Sequence, residues 1–95
     1  MDAEAKPDPL ERMLGQPVVL DTATPVIYLG TLIQVTDTVL VLDGVDMHDF
    51  CVGHAQKEMY LAEASRDGIS VNRRNIVVLR SAVISVSRLA DVVVD

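Results

Sequence analysis

The sequence predicts an all-β fold in one small domain, with a short helix at its N-terminal end. Three observations carry this. First, 49% of the 95 residues are hydrophobic but only 3% are aromatic and none is Trp, so the core has to be aliphatic. Its Val and Ile, branched at Cβ, favour the pleated conformation. Second, the aliphatic runs are separated by stretches such as Ala23-Thr24-Pro25 and Thr36-Asp37, whose residues suit turns. Third, apolar residues occupy both parities in 26–35 and 39–42, which implies burial on both faces. A sheet curled over its own core, with a helix or a neighbouring subunit outside, accounts for that pattern.

The elements follow in order. Residues 1–7 are small and charged and read as a flexible start. Asp8 suits a helix cap and Pro9 the first helical position, where a missing N–H costs nothing. Leu10, Met13 and Leu14 then form one apolar stripe, and Gly15 is placed to end a helix over 8–15. A strand is expected over 18–22, and a longer one over 26–35 that contains Gly30, where a sharp bend or bulge is expected. Val39, Leu40, Val41 and Leu42 form the next strand. From 44 to 56 the pattern is irregular and reads as a loop. Residues 58–63 resume strand-like chemistry, and Arg66-Asp67-Gly68 reads as a hairpin turn, because Asp-Gly fits positive φ. Strand segments at 69–71 and 76–79 flank the polar Asn72, Arg73, Arg74 and Asn75. The clearest alternation is in 82–87, with Ile84 and Val86 on one face and Ser85 and Ser87 on the other. Residues 91–95 form a tail, although Val92, Val93 and Val94 are apolar enough to pack or pair.

Composition excludes several function classes. Fourteen acidic against eight basic residues give a net charge of −6, which opposes indiscriminate binding of polyanions. The single cysteine, Cys51, makes no intrachain disulfide, and with no apolar leader the chain reads as cytoplasmic. No stretch approaches the roughly 18 apolar residues of a membrane span, so no membrane partner is expected. A domain this small buries a modest fraction of its surface, and oligomerisation is a natural way to complete its core.

Three stretches together resemble the Sm and Sm-like family, and in particular its bacterial, Hfq-type branch. Asp8-Pro9-Leu10 is similar to the opening of that branch's N-terminal helix. Gly30-Thr31-Leu32, Val35 and Val39-Leu40-Val41-Leu42 are similar to the first Sm motif. Val78 to Val86 resembles the second, in which a basic residue, here Arg80, marks the turn between the last two strands. Where the family's motif-one Asp stands this chain has Thr36, with Asp37 one place later; where the bacterial branch has a His after the basic residue it has Ser81. A second alignment sets Val71, Asn72 and Arg73 on the Ile-Arg-Gly signature of archaeal and eukaryotic members, with Arg73 in place of Gly.

The resemblance implies an Sm-like domain over 8–90: a strongly bent five-stranded antiparallel barrel over 16–88. The long variable segment 44–75 would be an extended loop and an extra hairpin between the two motifs. It also implies a homo-oligomeric ring, a hexamer or heptamer, in which the fourth strand of one subunit pairs with the fifth of the next through Val83, Ile84, Ser85, Val86 and Ser87. Pairing removes what would otherwise be an exposed edge. Single-stranded RNA is the implied partner, and Arg80, Ser81, Asn72, Arg73, Arg74 and Asp37 are its candidate contacts.

Charge distribution bears on that reading. Arg66, Arg73, Arg74, Arg80 and Arg88 concentrate positive charge in the last third of the chain. In a ring they would supply bidentate phosphate donors, with Asn72 or Asn75 reading base edges. Equally, they are solvated arginines, some paired with acids. Tyr28, Phe50 and Tyr60 are the only aromatic side chains that could stack on bases.

Asp46, His48, Asp49, Cys51, His54 and Glu58 are the one cluster of metal-ligating types, at a spacing that fits no zinc, iron or calcium pattern, so they read as loop polar residues and no metal or cofactor is expected. Ser81, Ser85 and Ser87 lack a nucleophile elbow, and no phosphate-binding Gly loop is present, so no enzyme is expected. Two other functions stay open: a ring-forming scaffold without RNA binding, and a metal-dependent enzyme using 46–58.

Overall fold

In a computed structural model of the chain, which describes residues 8–50 and 57–93, five antiparallel strands form one bent sheet. The strands are β1 (Pro17–Thr22), β2 (Val26–Val35), β3 (Val39–Asp49), β4 (Arg73–Leu79) and β5 (Val83–Arg88), in the spatial order β4-β3-β2-β1-β5. One helix, α1 (Lys57–Asp67), lies between β3 and β4. The expected flexible start falls outside the described residues, as do Cys51, His54 and Val94.

β1 shows why both parities are apolar. Val18 and Leu20 join Leu32, Leu40, Leu42, Val45 and Val78 in the core enclosed by the bend. Val19, on the opposite face, joins Ile27 and Leu29 beneath Ala64 of α1 and Leu89. The sheet is therefore covered outside by α1 and by the 3₁₀ turn Leu89–Asp91. Val92 packs there too, whereas Val93 is exposed.

The bend depends on close backbone approach. The β2–β3 register shifts between Leu29 and Thr31, around Gly30. A Cβ on Gly30 would lie 3.1 Å from Val45 Cγ2 and 3.2 Å from the Asp43 carbonyl. Across from it Gly44 adopts φ +59°, and this kink carries β3 on to Asp49. The loop expected from 44 onward is thus strand as far as Asp49; a left-handed glycine bends the ladder here without ending it.

The N-terminal helix is confined to a single 3₁₀ turn, Glu11–Met13. Asp8 caps it, accepting from the Leu10 amide at 2.9 Å. Gly15, at φ +82°, then donates its N–H to the Leu32 carbonyl at 2.7 Å, so the chain enters the sheet before a second turn can form. Leu10 and Met13 close the inner core.

The segment between the motifs corrects the sequence reading most. Among the described residues of that segment no extra hairpin forms. Residues 58–63 belong to α1, whose Lys57, Glu58, Leu61, Ala62, Glu63 and Ala64 are good helix formers. Gly68, at φ +93°, ends the helix by donating its N–H to the Ala64 carbonyl at 2.9 Å; the same left-handed freedom suggested a hairpin. Residues 69–72 return as irregular chain, and Asn72 to Asn75 do not interrupt a strand, since β4 begins at Arg73.

The alternation expected in β5 also differs. Val83 and Val86 face the inner core, whereas Ile84 is exposed. The β1–β5 register runs Asp21 to Ser85 and then Thr22 to Val83, so Ile84 is the extra residue of a bulge and the face changes there.

Candidate nucleic-acid interface

Two turns at one end of the sheet are tied together. In the β2–β3 turn, the Thr36 hydroxyl accepts from the amides of Thr38 (3.2 Å) and Val39 (3.0 Å), a local bond typical of short-side-chain turns. The 3₁₀ turn Arg80–Ala82 joins β4 to β5, and the Arg80 amide donates to the Thr38 carbonyl at 2.8 Å. The Arg80 guanidinium reaches the Thr36 carbonyl through Nη1 at 2.9 Å and Asp8 Oδ2 through Nη2 at 2.8 Å. Asp37, Thr38, Leu79, Arg80 and Ser81 line a shallow depression beside it. Three of the six candidate contacts, Asp37, Arg80 and Ser81, are therefore brought together.

The other three lie at the far end of β4. Asn72, Arg73 and Arg74 line a second shallow surface with Val71 and Asn75. A strand of this length separates its ends by roughly 20 Å. Asn72 is committed to β3: its Oδ1 accepts from the Met47 amide at 3.0 Å, and its Nδ2 donates to Asp46 Oδ1 at 2.9 Å and the Met47 carbonyl at 3.1 Å. Asn75 Nδ2 donates to the Leu42 carbonyl at 3.1 Å. Arg73 Nη1 donates to the Asn72 carbonyl at 2.9 Å, and Arg74 is exposed with no partner among the described residues.

Much of the positive charge of the last third of the chain is paired with acids. Arg66 pairs with Asp67, Arg80 with Asp8 and Arg88 with Asp91. Arg80 and the Leu10 amide both donate to Asp8 and hold its carboxyl below its ordinary value of 3.8. Asp8 was legible as a cap; its second oxygen, on a guanidinium 72 residues away, had no signal in the sequence.

The acidic segment of β3 serves the fold. Asp46 is buried and accepts from the Tyr60 hydroxyl and from Asn72. Burial, and then that contact with Asp46, push the Tyr60 phenol well above its ordinary range. His48 stacks on Tyr60 with ring centroids 4.6 Å apart and lies 4.4 Å from Phe50, so the aromatic rings of this region pack on one another. Among the described residues no group of three or more His, Cys, Asp or Glu side chains is arranged to hold a metal.

Among the described residues both margins of the sheet lack an in-chain neighbour, since β4 pairs with β3 and β5 with β1. They carry exposed aliphatics: Val77 at 58% and Leu79 at 60% on β4, Ile84 at 68% on β5. Of the candidate interface residues, Ile84, Ser85 and Ser87 are exposed, while Val83 and Val86 are half-buried from within.

No protein-family model matches the chain, and no curated protein matches it. Solved structures do. The Sm protein of Pyrococcus abyssii, in complex with a uridine heptamer, superposes with a TM-score of 0.57 at 19% identity, over 86% of this chain and 99% of its own. The fold is Sm-like. Chains of the NatC complex share it: one from the complex bound to Gag peptide and CoA, with a TM-score of 0.54 at 18% identity over 81% of this chain and 86% of that one. Another, from the complex bound to CoA, gives 0.54 at 18% identity over 90% and 86%. No helix among the described residues is long and apolar enough to cross a membrane.

Proposed function

We propose that this Sm-like chain assembles head to tail into a closed homo-oligomeric ring and binds single-stranded RNA at the joined turns 36–38 and 80–82. The observation that carries the RNA reading is the convergence of Asp37, Arg80 and Ser81 on one depression, in a fold shared with a protein solved in complex with a uridine heptamer. Arg80 supplies the cation for phosphate, and Thr38 and Ser81 supply hydroxyls. Arg73 and Arg74, at the other end of β4, offer a second contact with the backbone. Ring closure is supported by the two free margins: β4 of one copy against β5 of the next covers Val77, Leu79 and Ile84 and satisfies the edge amides. The opening Asp8, Pro9 and Leu10, with Arg80 at the last turn, favour a bacterial-type member acting in the cytoplasm, without catalysis.

A second reading keeps the assembly and drops the RNA. The likeness to NatC chains and the net charge of −6 favour a scaffold or interaction module. Binding of labelled oligouridine and oligoadenine, followed by fluorescence anisotropy across a salt series, separates the two. The RNA reading expects salt-sensitive binding that Arg80→Ala weakens, with a salt slope lower by about 0.7 for each phosphate contact removed. An assembled protein that binds neither oligonucleotide at low salt is a scaffold.

A further inference from the structure

We infer that Asp8 is an internal competitor for the Arg80 guanidinium, an autoinhibitory contact that sets how tightly the depression takes a phosphate. The inference rests on the RNA reading of these turns and concerns a residue that reading does not use. Asp8 Oδ2 takes Arg80 Nη2 at 2.8 Å, on a side chain one-third exposed, so the pair lies at the surface where an incoming anion meets it. Asp37 lines the depression with Arg80 and adds a further carboxylate to its wall. A phosphate arriving there exchanges with Asp8; it does not bind an unpaired cation.

Two details separate competition from positioning. Arg80 keeps its place without Asp8, because Nη1 is held by the neutral Thr36 carbonyl and its amide by the Thr38 carbonyl. Asp8's other oxygen, Oδ1, caps the Leu10 amide, a task that Asn or Ser also performs. Removing the charge therefore frees Nη2 while leaving both the turn and the arginine in place. Arg80 and the Leu10 amide depress the Asp8 pKa, so the contact is fully present from neutral pH down to the ordinary value of 3.8 and is lost only as pH falls through the depressed one.

The test uses the full chain as Asp8→Asn, Asp8→Ser, Arg80→Ala and the Asp8→Asn/Arg80→Ala double variant, with labelled oligouridine as probe across a salt series. Both Asp8 variants are expected to bind about two- to five-fold more tightly, the scale of one exposed ion pair. Their salt dependence is expected to steepen by about 0.7, the counterion equivalent of one further phosphate contact on a single strand. The double variant loses the gain. Unchanged or weaker binding by both Asp8 variants, with Arg80→Ala still defective, overturns the competition and leaves the RNA reading standing. If neither the wild type nor any variant binds, the RNA reading itself fails and the competition falls with it.

Discussion

Gly30 has no room for a side chain, and the curvature of the sheet depends on that. A methyl group there meets the Asp43 carbonyl and the Val45 and Leu42 side chains at 3.1 to 3.3 Å, all of them fixed by the β2–β3 ladder. Gly30→Ala is therefore expected to destabilise the protein by roughly 1–3 kcal/mol, the usual cost of overpacking, read as a lower urea midpoint. An unchanged midpoint would mean that the strands separate there at no cost. A glycine inside an aliphatic strand was enough to mark this position from sequence. The partners of Asp8 and Asn72 were not legible, because each is reached across the fold: Arg80 is 72 residues from Asp8, and Asp46 is 26 from Asn72.

At the level of elements, α1 is attached to the sheet through apolar packing, a surface ion pair of Lys57 with Asp21 at 2.8 Å, and one buried polar contact. Ala64 and Leu61 lie over Val19, Ile27 and Leu29, and the Tyr60 hydroxyl donates to the buried Asp46 carboxylate. Tyr60→Phe leaves that carboxylate with Asn72 alone, and a loss of about 1–3 kcal/mol is expected, since a buried acceptor is deprived of a donor. The raised phenol pKa fixes the pH window. Stability tied to this contact is intact below the ordinary tyrosine value of 10.0 and drains away as pH climbs beyond it. Wild type is thus expected to lose stability relative to Tyr60→Phe in alkaline denaturation series; parallel curves would contradict the coupling. All five strands were legible because their aliphatic runs are bounded by polar or turn residues. α1 was not, because its helix formers carry little amphipathic signal and end in Asp67-Gly68, which also suits a hairpin. The face of β5 escaped for a related reason: the bulge at Ile84 is a property of its pairing with β1, not of its own residues.

For the molecule as a whole, the arginines concentrated in the last third of the sequence read either as phosphate donors or as solvated residues partly paired with acids. Folding pairs three of them, since Arg66, Arg80 and Arg88 each have an acid beside them. A more consistent feature is the pair of open margins. Among the described residues the bent sheet satisfies β1, β2 and β3 on both sides and leaves β4 and β5 with one unpaired edge each, bearing Val77, Leu79 and Ile84 in solvent. Such edges invite uncontrolled association unless they are covered, and a closed ring covers all of them with a single repeated contact. The RNA reading, the scaffold reading and the accessibility of Arg80 all take their geometry from that assembly. Native mass spectrometry of the full chain over a dilution series tests it most directly. The account predicts one species, a hexamer or heptamer of the 10.3 kDa chain, that persists on dilution; a monomer at every concentration, or an open-ended ladder of masses, would contradict it.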